Sequence, residues 1–492
     1  MKNIRSIMLS LSISSALLLG VGCSGFLEED LQGQLVGAGA LSSVEGLDAA
    51  LTGAYKGLGW TWSMGFFHAT AMGGTMGGDD ITTHPASNKQ EFREFDQFAV
   101  SPGNSRTGQM FTGCYKAIQG ANNIIENYEN TVGSEAMITQ IVGEAYFLRA
   151  FSYYWLVRLY GSIPLITTPT FSEDLLTVSS NPGSEIYALI ISDFEQAELR
   201  LPNTKRNPGR PNKGSASAFL ADVYLTMGGW PINDASKYPL AAAKAKEVID
   251  NAGAYGFELM DSYEELWAND QTAMNLPEEV FALYAFDGVG QTMNAHYGFA
   301  SMPGEESGWD DFFAEINFFN NFPEGPRKDM TFRTEFTLSD GRVLTWQEIQ
   351  TRHPYYNKYY QANDVKRWFS SLPLVMLRYA HVLTIYAEAS ARAQGSPPAD
   401  AYAAINQIRS RAGLANLENL STDAFIEAVI DERSWEFAAE RTRWFDLVRL
   451  EMVEEANQDK HEWDLKPIGS ISKEDYFFPL PLTETLNNPN LR

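Results

Sequence analysis

Between Ile141 and Leu159 the chain carries two neighbouring apolar stripes at helical spacing. Ile141, Ala145, Leu148, Ser152, Trp155 and Leu159 mark one, and Phe147, Phe151, Tyr154 and Arg158 mark the next. A helix apolar over so wide an arc must be packed on most of its sides. Gly161 stops it and Pro164 prevents its resumption.

Other stretches share the period. Helices are predicted over residues 43–58, Thr107–Tyr128, Ser184–Leu199, Lys213–Met227 and Leu240–Asn251, then Leu374–Ala393, Ala399–Arg411 and Thr422 to about Leu450. Helix following helix at short spacing suggests stacked hairpins of tetratricopeptide type, although no strict sequence repeat enforces it. Two regions break the pattern. Residues 59–104 are rich in Gly, aromatics and turn formers, and residues 256–372 mix short apolar runs such as Val280–Tyr284 with loop-like sequence. The expectation is a mainly α protein, a tetratricopeptide-like helical-hairpin scaffold with large irregular insertions and a few short strands. The scaffold falls at about 43–58, 107–252 and 374–450, the variable segments at about 59–104 and 256–372.

The first residues read as a secretory signal. Lys2 and Arg5 precede an apolar run from Ile7 to Val21 that ends in small residues and Cys23, too short and too N-terminal for a membrane span. Gly22-Cys23 has the form of a lipoprotein cleavage site, with Gly20 where Leu is usual, so residues 1–22 are expected to leave and Cys23 to carry diacylglycerol. Two acyl chains suffice for stable anchoring. The rival reading is a conventional signal with an incidental cysteine. The only other cysteine is Cys114, so neither a disulfide framework nor a cysteine zinc site can form once Cys23 is lipidated. The net charge of −25 repels phosphate backbones and argues against nucleic acid as a partner.

Catalytic and metal motifs are missing. Gly77-Gly78-Asp79-Asp80 lacks the alternating ligands and terminal Glu of a calcium loop, so turn and capping roles are expected for the aspartates. The chain has no phosphate-binding glycine loop, no nucleophile elbow and no histidine pair at metal-ligand spacing, and no cofactor is predicted. Glu436 and Glu440 could be read as a glycosidase pair. Such carboxylates normally face each other across a cleft, however, whereas these are helical neighbours. With Arg433 they are expected to form buried or half-buried ion pairs.

Several segments together resemble the SusD/RagB family. They are Leu148-Arg149-Ala150-Phe151-Ser152-Tyr153-Tyr154 running into Leu159-Tyr160-Gly161-Ser162-Ile163-Pro164-Leu165, Gly209–Ala216 with Ala218–Leu225, Leu377–Ala389 (with His381 where the family commonly has Glu) and Ile405–Leu414. The strongest is Asp431-Glu432-Arg433 through Glu436-Phe437, Glu440-Arg441 and Arg443–Arg449, and the tail Pro479-Leu480-Pro481 to Asn488-Pro489 completes the set. The matches run in order over essentially the whole chain, so residues 23–492 are expected to form one SusD-like domain.

The resemblance implies a non-enzymatic outer-membrane lipoprotein of Bacteroidota, exposed at the cell surface. It would bind oligosaccharide, or less often peptide, and deliver it to a SusC-like TonB-dependent transporter; a glycoside hydrolase is the remaining alternative. Sugar C–H faces pack on aromatic rings while hydroxyls need polar partners, so a platform of aromatics with a few polar groups is expected. The irregular regions offer Trp60, Trp62, Phe66, Phe67, Asp80, His84, Asn88 and Arg93, and then His296, Tyr297, Trp309, Tyr355 and Tyr356. These loops do not align with the family by motif, so none of the residues is carried over from it.

Overall fold

The computed structural model describes residues 37–59, 65–66, 68–170, 172–268, 275–284, 299–360 and 373–491. The expected signal, Cys23, Trp60, Trp62, Phe67, His296 and Tyr297 lie outside the described residues.

The architecture is mainly helical. Ten helices of eight residues or more occur among the described residues: α1 (Val44–Gly59), α2 (Ser105–Asn127), α3 (Glu135–Tyr160), α4 (Gly183–Arg200), α5 (Lys213–Gly228), α6 (Lys237–Asp250), α7 (Tyr379–Gln394), α8 (Ala399–Arg411), α9 (Thr422–Glu436) and α10 (Arg443–Leu450). From α1 to α6 each helix packs on the next. α7 then packs on α6 and carries α8 and α9. This is the stacked-hairpin arrangement predicted from the spacing. Among the described residues no helix is long and apolar enough to cross a membrane.

α3 lies at the centre. From Ile141 to Tyr160 every residue except Tyr146 and Arg158 is buried. Phe147 alone meets Phe194 of α4 at 5.4 Å, Phe219 of α5 at 5.4 Å and Phe281 at 4.8 Å, all edge to face, the geometry that aromatic quadrupoles favour. Polar groups caught in this layer are paired. Arg149 forks onto Asp193 at 2.7 and 2.8 Å, and Glu144 accepts from Arg206 at 3.1 Å. At the end of α3, Gly161 has φ 71°, a backbone state that costs glycine little. α5 is equally enclosed and starts from a capping box, in which the Asn212 side chain accepts the Ser215 N–H at 2.9 Å.

Among the described residues the strands form four antiparallel pairs: β1 (Ile81–Thr82) with β3 (Phe313–Ala314), β2 (Glu279–Leu283) with β8 (Leu374–Arg378), β4 (Phe332–Arg333) with β7 (Tyr355–Tyr356), and β5 (Glu335–Thr337) with β6 (Val343–Thr345). The strand predicted at Val280 is present as β2. Its partner corrects the sequence reading: Leu374–Arg378 is extended, and helix α7 starts only at Tyr379. The register Glu279↔Arg378 and Leu283↔Leu374 is a long-range pairing that local periodicity cannot reveal.

A second correction concerns the helix expected from Thr422 to Leu450. α9 ends at Glu436, and the chain turns through Ala439 and Arg441, both left-handed at φ 59° and 68°, before α10. No glycine marks this turn, so nothing local in the sequence announces it.

Candidate ligand-binding face

The two irregular regions, far apart in sequence, are joined into one surface. β1 pairs with β3, and Thr83 Oγ1 donates to the Asp311 carbonyl at 2.7 Å. Lys89 forms a buried ion pair with Asp311. From the third side, the Tyr356 hydroxyl donates to the Asp80 carbonyl at 2.5 Å and the Tyr355 hydroxyl to Asp310 at 2.5 Å. Residues 81–89, 309–315 and 353–356 therefore share one rigid base.

The described candidate residues fall into two groups on this base. Phe66, Asp80, Tyr355 and Tyr356 are buried. Phe66 packs on Phe151 and Trp155 of α3 at 5.8 and 4.7 Å, so its ring belongs to the core layer. Asp80 accepts the Ala439 N–H at 2.9 Å and so supports the turn between α9 and α10. Its neighbour Asp79 takes both guanidinium arms of Arg443 at 2.6 and 2.7 Å. Asp80 thus takes a turn-holding role, as expected, whereas Asp79 serves as an ion-pair partner of Arg443. Burial pushes the Asp80 carboxyl up to about 7, against the hydrogen bond from Ala439.

His84, Asn88, Arg93 and Trp309 retain surface. His84 Nδ1 accepts the Ala86 N–H at 2.9 Å, and Arg93 donates to the carbonyls of Pro85, at 3.1 Å, and Ala86. Arg93 thus clamps the loop that presents His84 and Asn88. Trp309 lies half-buried, stacked on Phe299 with ring centres 5.5 Å apart and planes 19° apart. A flat ring combined with polar groups is the kind of surface a sugar requires.

Behind this face stands a buried ionic lattice built from the strongest of the sequence motifs. Glu440 receives Arg378 Nε at 2.7 Å, Arg378 Nη2 at 2.8 Å and Lys358 Nζ at 2.7 Å. Glu436 receives Arg411 at 2.6 Å, Arg378 at 3.0 Å and Arg327 at 3.1 Å. Burial alone would raise the Glu436 carboxyl, but Arg411, Arg378 and Arg327 outweigh it and hold the group well below the usual carboxylate range. A carboxyl so held cannot donate a proton to a leaving group near neutral pH. The expected buried pairing is present with one change of partner: Arg433 engages not Glu436 but Asp446, at 2.8 and 3.1 Å.

His381 stacks on Phe437 at 3.6 Å and accepts the Arg378 N–H on Nδ1 at 3.0 Å. Burial, with Arg378 and Arg433 nearby, holds it neutral. Cys114 is buried, and burial raises its thiol far above the reactive range. Among the described residues no group of three or more His, Cys, Asp or Glu could hold a metal ion.

The fold is thus a helical-hairpin scaffold carrying a composite loop face, with a buried ionic lattice behind it. Two family models match the chain: "SusD family" over residues 346–492 and "Starch-binding associating with outer membrane" over residues 26–225. The chain belongs to the SusD family. It is 29% identical to the SusD-like protein P2 of Formosa agariphila, over 96% of both chains. It superimposes on a SusD superfamily protein from Parabacteroides distasonis with a TM-score of 0.78 at 26% identity, covering 91% of this chain and 98% of that one. A laminarin-binding SusD-like protein shares the fold with a TM-score of 0.76 at 24% identity, covering 91% of this chain and 98% of that one.

Proposed function

We propose that this protein is a non-catalytic glycan-binding lipoprotein that captures oligosaccharides outside the cell and hands them to a SusC-like TonB-dependent transporter in the outer membrane. The observation that carries the reading is the match of residues 26–225 to the family described as starch-binding and associating with the outer membrane. The surface of the composite face supports it: Trp309 supplies a stacking ring, and His84, Asn88 and Arg93 supply polar partners. Trp60, Trp62 and Tyr297 belong to the same two segments and are proposed to complete the platform. Phe66, Asp80 and Tyr355 are proposed to act from beneath it, by fixing the base. Lipidation of Cys23 provides the anchor.

Affinity electrophoresis against a panel of polysaccharides, followed by calorimetry on the oligosaccharides of any that retard the protein, tests the proposal. Retardation by at least one glycan, with no release of reducing sugar, is the expected result. Binding of peptides with no binding of any glycan would overturn it.

A further inference from the structure

Trp463 is the one tryptophan among the described residues that is exposed by more than a third, at 38%. It is not loosely held. Its ring meets Trp346 edge to face at 6.4 Å and His461 at 5.2 Å, and the Trp463 backbone N–H donates to His461 Nδ1 at 3.2 Å. The next residue, Asp464, is buried against His353 at 2.9 Å and anchors the loop.

Above the Trp463 ring lies the guanidinium of Arg352, 5.2 Å from its centre. Arg352 is exposed between buried Thr351 and buried His353, and its backbone is left-handed at φ 56°. That conformation is uncommon outside Gly, Asn and Asp, and it turns the side chain outward. No carboxylate among the described residues pairs with Arg352. In a chain of net charge −25, an exposed arginine without a carboxylate partner, poised over an exposed tryptophan, stands apart from its surroundings.

We infer that Trp463, Arg352 and Trp346 form a saccharide site of their own, and that it takes an acidic sugar. The indole offers a flat surface to the C–H face of a pyranose, and the planar guanidinium fork matches a carboxylate or sulfate group bidentately. Glu462, exposed beside Trp463, is available to accept from sugar hydroxyls. The inference extends the glycan-capture reading and rests on it. The uronate and sulfate sources share one chemistry and are separated by experiment.

Calorimetry of the whole chain against an oligogalacturonide, a sulfated galactan fragment and a neutral glucan fragment tests this, using wild type, Arg352→Gln, Arg352→Lys and Trp463→Ala. Thermal melting checks that each variant is folded. Wild type is expected to bind at least one acidic saccharide, more weakly as salt is raised. Arg352→Gln and Trp463→Ala should each lose about tenfold or more, Arg352→Lys should lose less, and neutral-glucan affinity should stay unchanged. Acidic-saccharide affinity equal to wild type in both Arg352→Gln and Trp463→Ala would overturn the inference. So would a wild type that binds neutral glucans but neither acidic one, an outcome that leaves the glycan-capture reading standing. Failure to bind any saccharide would instead remove that reading as well.

Discussion

Arg378 grips Glu440 with two donors, Nε at 2.7 Å from one carboxylate oxygen and Nη2 at 2.8 Å from the other, at a point where both side chains are almost wholly buried. The same guanidinium reaches Glu436 and Glu278, and through them Arg411 and Arg327. Strand β8, the turn after α9 and the approach to β2 are thereby tied at one residue. A buried pair of this kind adds little over a well-packed apolar substitute, but breaking one member strands charge in a low-dielectric interior.

Arg378→Ala is accordingly expected to destabilise the protein by about 3–5 kcal/mol, since three buried carboxylates lose a partner together. Urea unfolding followed by tryptophan fluorescence measures it. Arg342→Ala, which removes the exposed pair with Asp340, is the control and should cost far less. Equal effects of the two would show that the lattice carries no special weight.

Two buried carboxyls should give opposite pH dependences. Asp80, pushed up to about 7, stays protonated in the fold while its unfolded counterpart ionises near pH 4. The fold therefore binds more protons, and stability falls as pH rises from about 4 to about 7. Asp80→Asn removes that loss, a difference on the order of 4 kcal/mol above pH 7.

Glu388 behaves the other way. Burial alone would raise it, but Arg449 at 2.6 and 2.7 Å and Arg392 at 2.9 Å hold it down to about 2. Its contribution is fully present above about pH 4.5 and is lost as pH falls toward 2, on the order of 3 kcal/mol that Glu388→Gln should abolish. Denaturation of wild type and both variants from pH 2.5 to pH 8 gives each group's contribution as the difference from wild type, and differences that change with pH in the same direction would contradict the assignment.

How much of this was legible beforehand depended on whether the cause was local. The enclosure of α3 is written in two stripes of side chains, and its end in Gly161, so both could be read directly. Leu374–Arg378 misled because an apolar run fits helix or strand alike, and the deciding partner, β2, lies some way back in the chain. The turn after Glu436 is held by Asp80 and by buried cations rather than by glycine, so its cause was equally distant. For the candidate ligand face, aromatic content singled out two segments but could not sort Tyr355, sealed in the base, from Trp309, which keeps surface. Trp463 escaped notice because it sits singly in a C-terminal loop, outside both aromatic-rich regions.

If Cys23 is the proposed anchor, Cys23→Ser should abolish lipid attachment and move the protein from the membrane to the soluble fraction of cells. Metabolic labelling with palmitate and membrane fractionation check it. Membrane retention of an unlabelled variant would show that the anchor lies elsewhere.

Glycan binding at the Trp309 face rests on one comparison. Calorimetry with a saccharide that retards the wild-type protein, compared with Trp309→Ala, tests it most directly. A loss of about tenfold or more in affinity is expected, with the melting temperature and the fold unchanged. Unaltered affinity in Trp309→Ala, or a wild-type protein that binds peptides and no glycan, would contradict it.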